Sequence, residues 1–213
     1  GASVSLSSDG NTAIVGGHFD GGRTGAAWVF TLSGGVWTQQ GSKLAGTGAT
    51  EDAQQGASVS LSSDGNTAIV GGPTDSSTGA MWVFTRSGGV WTQQGSKLVG
   101  TGATGDARQG ASVSLSSDGN TAIVGGSADN NFTGAVWVFT RSGSVWTQQG
   151  SKLVGTGATG AAHQGTSVSL SSDGNTAIVG GLNDNSTTGA MWIFTRSGSV
   201  WTQQGSKLVG TGA

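Results

Sequence analysis

Four aspartates recur at corresponding places along this chain: Asp20, Asp75, Asp129 and Asp184. Each stands in a short stretch whose other residues change, reading HFDGGR, PTDSS, SADNNF and LNDNST. A carboxylate flanked by amides such as Asn130, Asn183 and Asn185 could ligate a cation or accept hydrogen bonds from sugar hydroxyls. The same carboxylate in a Gly- and Asn-rich loop also serves as an Asx turn, bonding to its own backbone. A second set is aromatic. Trp37, Trp91, Trp146 and Trp201 each stand in the block VWTQQGSKL, the most polar apolar-periodic segment of the chain. An exposed Trp can stack on a sugar face, and four equivalent sites would add avidity. The alternative is Trp packed between neighbouring units or on the adjacent Lys stem. The candidate ligand-binding set is therefore Asp20, Asp75, Asp129, Asp184, Asn130, Asn185, Trp37, Trp91, Trp146 and Trp201.

Catalysis has less to stand on. His18 and His163 occupy non-equivalent places, and Glu51-Asp52 is the only adjacent acidic pair, its counterparts being Gly105-Asp106 and Gly160-Ala161. No nucleophile motif, zinc spacing or phosphate loop is present. The chain has no Cys, hence no disulfide framework and no thiol chemistry. The expectation is a non-enzyme with no catalytic residues, no metal and no cofactor. Asn131-Phe132-Thr133 and Asn185-Ser186-Thr187 fit the N-glycosylation pattern, which matters only in a eukaryotic secretory pathway. Charged residues make up 9% of the chain and the formal net charge is −2, so no basic field attracts nucleic acid or an anionic membrane. No stretch is long enough to span a bilayer, so no membrane insertion is expected.

These residues are positioned by a repeat. SVSLSSDGNTAIVGG begins at Ser3 and returns letter for letter at Ser58, Ser112 and Ser167. The chain reads as one array over 1–213, with units 1–55, 56–109, 110–164 and 165–213. Each unit offers four strands. SVSLS alternates apolar and polar residues, the period of a half-buried strand. Asp9-Gly10 then signals a hairpin turn. TAIVGG is a short apolar run suited to burial on both faces. In GAAWVFT, Trp28 and Phe30 point one way and Ala27, Val29 and Thr31 the other. The last strand, VWTQQGSKLAG, carries Lys43, a residue that protects sheet edges, and Gly41 suggests a bend within it. The 42 Gly leave no run of ten residues for a helix, so helix content should be near zero. A four-stranded unit of this size cannot bury both faces alone and must stack on its copies, radially as the blades of a β-propeller. The pairs Trp28/Phe30, Trp82/Phe84, Trp137/Phe139 and Trp192/Phe194 would fill the space between blades.

The Gly that opens the first strand, SVSLSSDGNTAIVGG and GAAWVF together resemble the FG-GAP repeat of integrin-α-type β-propellers, over all four units. The family's FG is QG here, as at Gln55-Gly56, and its GAP survives nearly intact only as Gly71-Gly72-Pro73. The resemblance implies a propeller found on cell surfaces or secreted. It also implies a Ca²⁺ loop of the type D-x-D-x-D-G-x-x-D, which falls on Ser5, Ser7, Asp9, Gly10 and Ala13. Only Asp9 is a carboxylate there, as are Asp64, Asp118 and Asp173 in the other units, so a turn is the better reading than a Ca²⁺ site. The expected fold is all-β, a β-propeller of four near-identical four-stranded blades closed into a four-bladed ring. In that reading the N- and C-terminal strands meet in one blade. The expected function is a non-enzymatic binding or adhesion module, secreted or at the cell surface, that meets a glycan or protein through its variable loops. The alternative is a structural, self-assembling building block. The expected state is a monomer or a ring-completing homodimer.

Overall fold

A computed structural model describes residues 1–211; the last two residues of the fourth unit lie outside the described residues. The chain forms four antiparallel four-stranded sheets in which strand order follows chain order. The first contains β1 (Ser3–Leu6), β2 (Thr12–Gly17), β3 (Ala26–Ser33) and β4 (Val36–Gln39). The second contains β5 (Ser58–Leu61), β6 (Thr67–Gly72), β7 (Ala80–Ser87) and β8 (Val90–Gln93). The third contains β9 (Ser112–Leu115), β10 (Thr121–Gly126), β11 (Ala135–Ser142) and β12 (Val145–Gln148). The fourth contains β13 (Gln164–Leu170), β14 (Thr176–Gly181), β15 (Ala190–Ser197) and β16 (Val200–Gln203). This is an all-β propeller of four blades. The outer strand is shorter than VWTQQGSKLAG suggested: after Gln39 the chain breaks away and Leu44 rejoins only through a single bridge to Ala27. The bend is at Gly41, whose φ is 71°. The helical turn found among the described residues, Asp129–Phe132, is no true helix, since Asn130 and Asn131 sit in the left-handed region at φ 49° and 53°.

The blades are joined at their inner strands. β1 lies against β5, β5 against β9, and β9 against β13. The serines of SVSLS, which looked like a solvent face, make these joints. Ser3 Oγ donates to the Gly56 carbonyl, and Ser5 Oγ accepts from the Leu61 amide. Ser58 and Ser60, then Ser112 and Ser114, do the same at the next two joints. The apolar core lies in three layers between blades. In the first, Ile14, Ala27, Val29 and Leu44 of one blade meet Val59, Leu61, Val70, Trp82 and Phe84 of the next. Trp82, Trp137 and Trp192 are fully buried there, as the sequence led us to expect.

Two expectations are corrected. The N- and C-terminal strands do not share a blade, because each sheet is built within one unit. Ring closure is not seen either: among the described residues, no packing as extensive as that of β13 on β9 joins the fourth blade to the first. Instead, the segment after each outer strand, residues 46–55 in the first unit, crosses to the next blade. There Trp82 Nε1 donates to the Thr47 carbonyl at 2.9 Å. Gln55, fully buried, accepts from the Gly46 amide and donates to its carbonyl. Glycine is required at this crossing, since a Cβ on Gly100 would stand 2.2 Å from Trp137 Cδ1. Gly100→Ala should therefore cost about 1–3 kcal/mol of overpacking, read as a lowered midpoint in urea unfolding.

Candidate functional site

The loops that vary between units all lie at one end of the sheets. The β2–β3 loop (18–25) leaves there, and the linker (46–55) returns there to enter the next inner strand. Gly25 and Gln55 are bridged in parallel, as are Gly79 and Gln109, and Gly134 and Gln164. Loop and linker thus form a rim at each blade junction.

The loop aspartates hold this rim together from below. Asp129 is fully buried, accepts from the Thr104 amide of the linker at 2.7 Å, and pairs with Lys152 at 2.5 Å. Asp75 does the same with Thr50 and Lys97, and Asp184 with Thr159 and Lys207. Among the described residues, the Asp20 side chain pairs with Lys43 alone. Asp75, Asp129 and Asp184 pin loop, linker and outer segment and are buried, whereas Asp20 is partly exposed. Asn130 and Asn185 are exposed beside them. Both occupy left-handed backbone (φ 49° and 51°), and their amides donate to the Thr104 and Thr159 carbonyls. Asn is chosen there for the turn, as Ser76 is at φ 50°.

The outer tryptophans also serve the junctions. Trp91, Trp146 and Trp201 donate through Nε1 to Gln40, Gln94 and Gln149 of the preceding blade. Arg86, Arg141 and Arg196 lie over their rings at 5.5, 5.3 and 5.5 Å. Trp37, in the first blade and with Leu32 in place of the arginine, is exposed. Asp9 closes its own turn: Ser7 Oγ and the Asn11 amide donate to Oδ1, and Asn11 Nδ2 to Oδ2. Among the described residues no three His, Cys, Asp or Glu side chains gather as a metal set.

The turn aspartates carry the clearest electrostatic signature. The Ser171 hydroxyl, followed by the Asn175 backbone and side chain, lowers the Asp173 carboxyl to about 2. At Asp64 and Asp118 burial is the largest influence and raises the value. The Ser hydroxyl and Asn amides of the same turn, with Arg86 or Arg141, outweigh it and the net shift is down. Carboxyls depressed by folding stabilise the protein above their unfolded pKa and lose that contribution as pH falls through the folded value.

What remains at the rim are the titratable side chains found in no more than two units: His18, Arg23, Glu51, the equivalent Asp52 and Asp106, Arg108 and His163. All lie on the β2–β3 loops or the linkers. Arg23 Nε faces Asp52 Oδ1 at 3.5 Å, and Arg108 Nε faces Asp106 Oδ2 at 3.8 Å; both pairs are exposed. His163 stacks on Phe132 with ring centroids 5.0 Å apart. Gln54, Arg108 and His163 occupy the same position in successive linkers, each at φ 56°. That shared left-handed turn projects three different side chains from one backbone geometry. Sequence reading set these residues aside because they break the repeat; the signal was their confinement to two segments of each unit. His18 lines an open cleft of 520 Å³ with Gly1, Ala2, Gly17, Phe19, Asp20 and Trp28. Its Nδ1 is buried without a partner.

No protein-family model matches the chain, and no curated protein sequence does. The FG-GAP resemblance therefore has no matching family model behind it. Solved structures do match. The periplasmic gluconolactonase PpgL of Pseudomonas aeruginosa is 17% identical with a TM-score of 0.62, over 99% of this chain and 58% of that one. TolB of Acinetobacter baumannii is 14% identical with a TM-score of 0.51, over 96% and 44%. A candidate 6-phosphogluconolactonase of Bacteroides uniformis is 13% identical with a TM-score of 0.50, over 95% and 69%. The chain spans about half the length of the first two. At these identities the likeness is one of fold. It nonetheless corrects two expectations, the non-enzymatic adhesion module and the absence of enzymatic activity, because two of these neighbours carry the names of lactone-hydrolysing enzymes. In the structure Asp75, Asp129 and Asp184, and the outer residues Trp91, Trp146 and Trp201, are engaged in contacts between blade, loop and linker.

Two outcomes follow. Asp129→Ala strands Lys152 and should cost about 3 kcal/mol, whereas Asp20→Ala, losing a half-exposed pair, should cost under about 1 kcal/mol; urea unfolding of both variants separates them. Stability should fall between about pH 4 and about pH 2 as the turn aspartates protonate. Carboxyl ¹³C shifts should place the Asp173 midpoint near 2.

Proposed function

We propose that this chain belongs to a hydrolytic propeller that opens a small sugar-acid lactone, with its chemistry at the loop–linker rim, and that it works in the periplasm or outside the cell. The observation that carries the reading is the confinement to that one rim of every titratable side chain found in no more than two units. The lactonase names of two structures of the same fold supply the substrate class, and the periplasmic description of one supplies the compartment. Hydrolysis of a lactone needs a base that takes a proton from water as the water oxygen attacks the carbonyl carbon. It also needs a donor that steadies the oxyanion, and return of a proton to the ring oxygen as its bond to carbon breaks. His163, held against Phe132, is the candidate base. Arg108, exposed on the preceding linker, is the candidate partner for the developing oxyanion or for a phosphate on the sugar.

The test is the rate of acid release from glucono-1,5-lactone and from its 6-phosphate, measured above spontaneous hydrolysis. His163→Ala should lower kcat/KM by about 10²-fold or more, and Arg108→Ala should raise KM for the phosphorylated substrate. No acceleration of either lactone by the wild-type protein, or a rate indifferent to both substitutions, sinks the proposal.

A further inference from the structure

The three junctions inside the chain have the same two halves. A trailing face supplies an Ile, the residues beside it on the third strand, and a Leu from the outer segment. A leading face supplies the apolar residues of the next inner strand with its Trp and Phe. Each end of the chain keeps one half. On the first blade the leading face is bare: Val4 is 74% and Leu6 60% exposed, whereas the equivalent Val59 and Leu61 are 8% and 7%. On the fourth blade the trailing face is bare: Ile178 is 41% exposed, whereas Ile14, Ile69 and Ile123 are at 0%. Met191 and Leu208 are uncovered beside it.

We infer that the fourth blade of one copy docks on the first blade of a second copy, and that two copies close an eight-bladed ring. The polar groups at the two ends match as the apolar ones do. Internal junctions join a Ser Oγ to a Gly carbonyl, a Leu amide to a Ser Oγ, and a Trp Nε1 to a Gln Oε1. Ser167, Ser169 and Gln204 of one copy stand ready for Gly1, Leu6 and Trp37 of the other. The open cleft beside Trp28 fits the same scheme. It occupies the place where Gly46, Gly100 and Gly155 press on the indoles of Trp82, Trp137 and Trp192. Their counterpart Gly210 has nothing within 4 Å of where its Cβ would be. In the docked pair Gly210 and Thr211 of one copy cover Trp28 of the other, whose Nε1 donates to the Thr211 carbonyl. One contact has no counterpart. Leu32 stands where Arg86, Arg141 and Arg196 reach back to the preceding blade, so the junction between copies lacks that arginine. A head-to-tail contact made twice under two-fold symmetry closes without leaving a free face.

The test is sedimentation equilibrium of the 213-residue chain at roughly 50 µM, with Leu6→Lys and Ile178→Glu as variants. These two side chains are exposed within one copy, and circular dichroism checks that both variants fold. The expected result is twice 20.8 kDa for the wild type and 20.8 kDa for each variant alone. An equimolar mixture of the variants should return to the doubled mass, because one junction then pairs Lys with Glu and the other is wild type. A wild-type monomer, or a dimer that survives both substitutions, overturns the inference. Open-ended oligomers overturn the two-copy ring.

Discussion

Each blade of this chain is a sheet with two apolar faces, and a sheet of that kind is stable only when both are covered. Everything else in the structure answers that requirement. The TAIVGG strand runs through the middle of every blade, with Ile toward one neighbour and Val toward the other. In the two inner blades this strand is buried along its whole length. In the outer blades the same sequence alternates between buried and partly exposed residues. Identical residues thus have different burial solely because of what stands beside them. The two glycines that end the strand follow from the same packing. A Cβ on Gly72 would meet Trp82 of its own blade at 2.7 Å, and one on Gly71 would meet the Gly110 carbonyl of the next blade at 2.3 Å. Gly72 thus admits the aromatic and Gly71 admits the neighbouring backbone.

Much of this was legible from the residues. Verbatim repetition gave the number of blades, period-2 alternation and the Asp-Gly turns gave the strands, and the Trp/Phe pairs marked the layers between blades. The serines of SVSLS were misleading, because alternation separates two faces but does not say that the polar one faces water. Here Ser3 and Ser5 face the adjoining inner strand, where a hydroxyl can serve a backbone carbonyl or amide that has no partner in its own sheet. The linker was equally opaque. Its sequence is loop-like, yet Ala53, Ala107 and Ala162 within it are fully buried, as are the Gln55 and Gln164 side chains. A buried Gln bonded to both backbone groups of one glycine is a tertiary arrangement that no local pattern announces.

The candidate site illustrates the opposite error. Repetition of Asp20, Asp75, Asp129 and Asp184 amid changing neighbours looked like a conserved functional group on a variable rim. In a tandem array, repetition more often marks a group that each junction needs. The Asp–Lys pairs are such groups: desolvated carboxylates that accept a linker amide and so fix where the chain crosses from one blade to the next. The outer Trp–Gln–Arg sets do the same at the rim of the sheets.

A specific site in a propeller has to break its own symmetry, because identical blades offer a ligand identical surfaces. The charges of this chain divide along that line. Asp, Lys and Arg that recur in three or all four units are bonded across or within the junctions, and the charged groups found in one or two units stand on the loop–linker rim. Three linkers place Gln54, Arg108 and His163 on the same left-handed residue. The scaffold therefore holds the backbone constant while the chemistry changes from one junction to the next: an amide, a guanidinium and an imidazole in sequence around the rim. An acyl-transfer site needs unlike groups, a base and an anion donor, held at fixed spacing. Near-perfect repetition elsewhere is what fixes that spacing, since each junction is the same set of contacts and turns the chain through the same step.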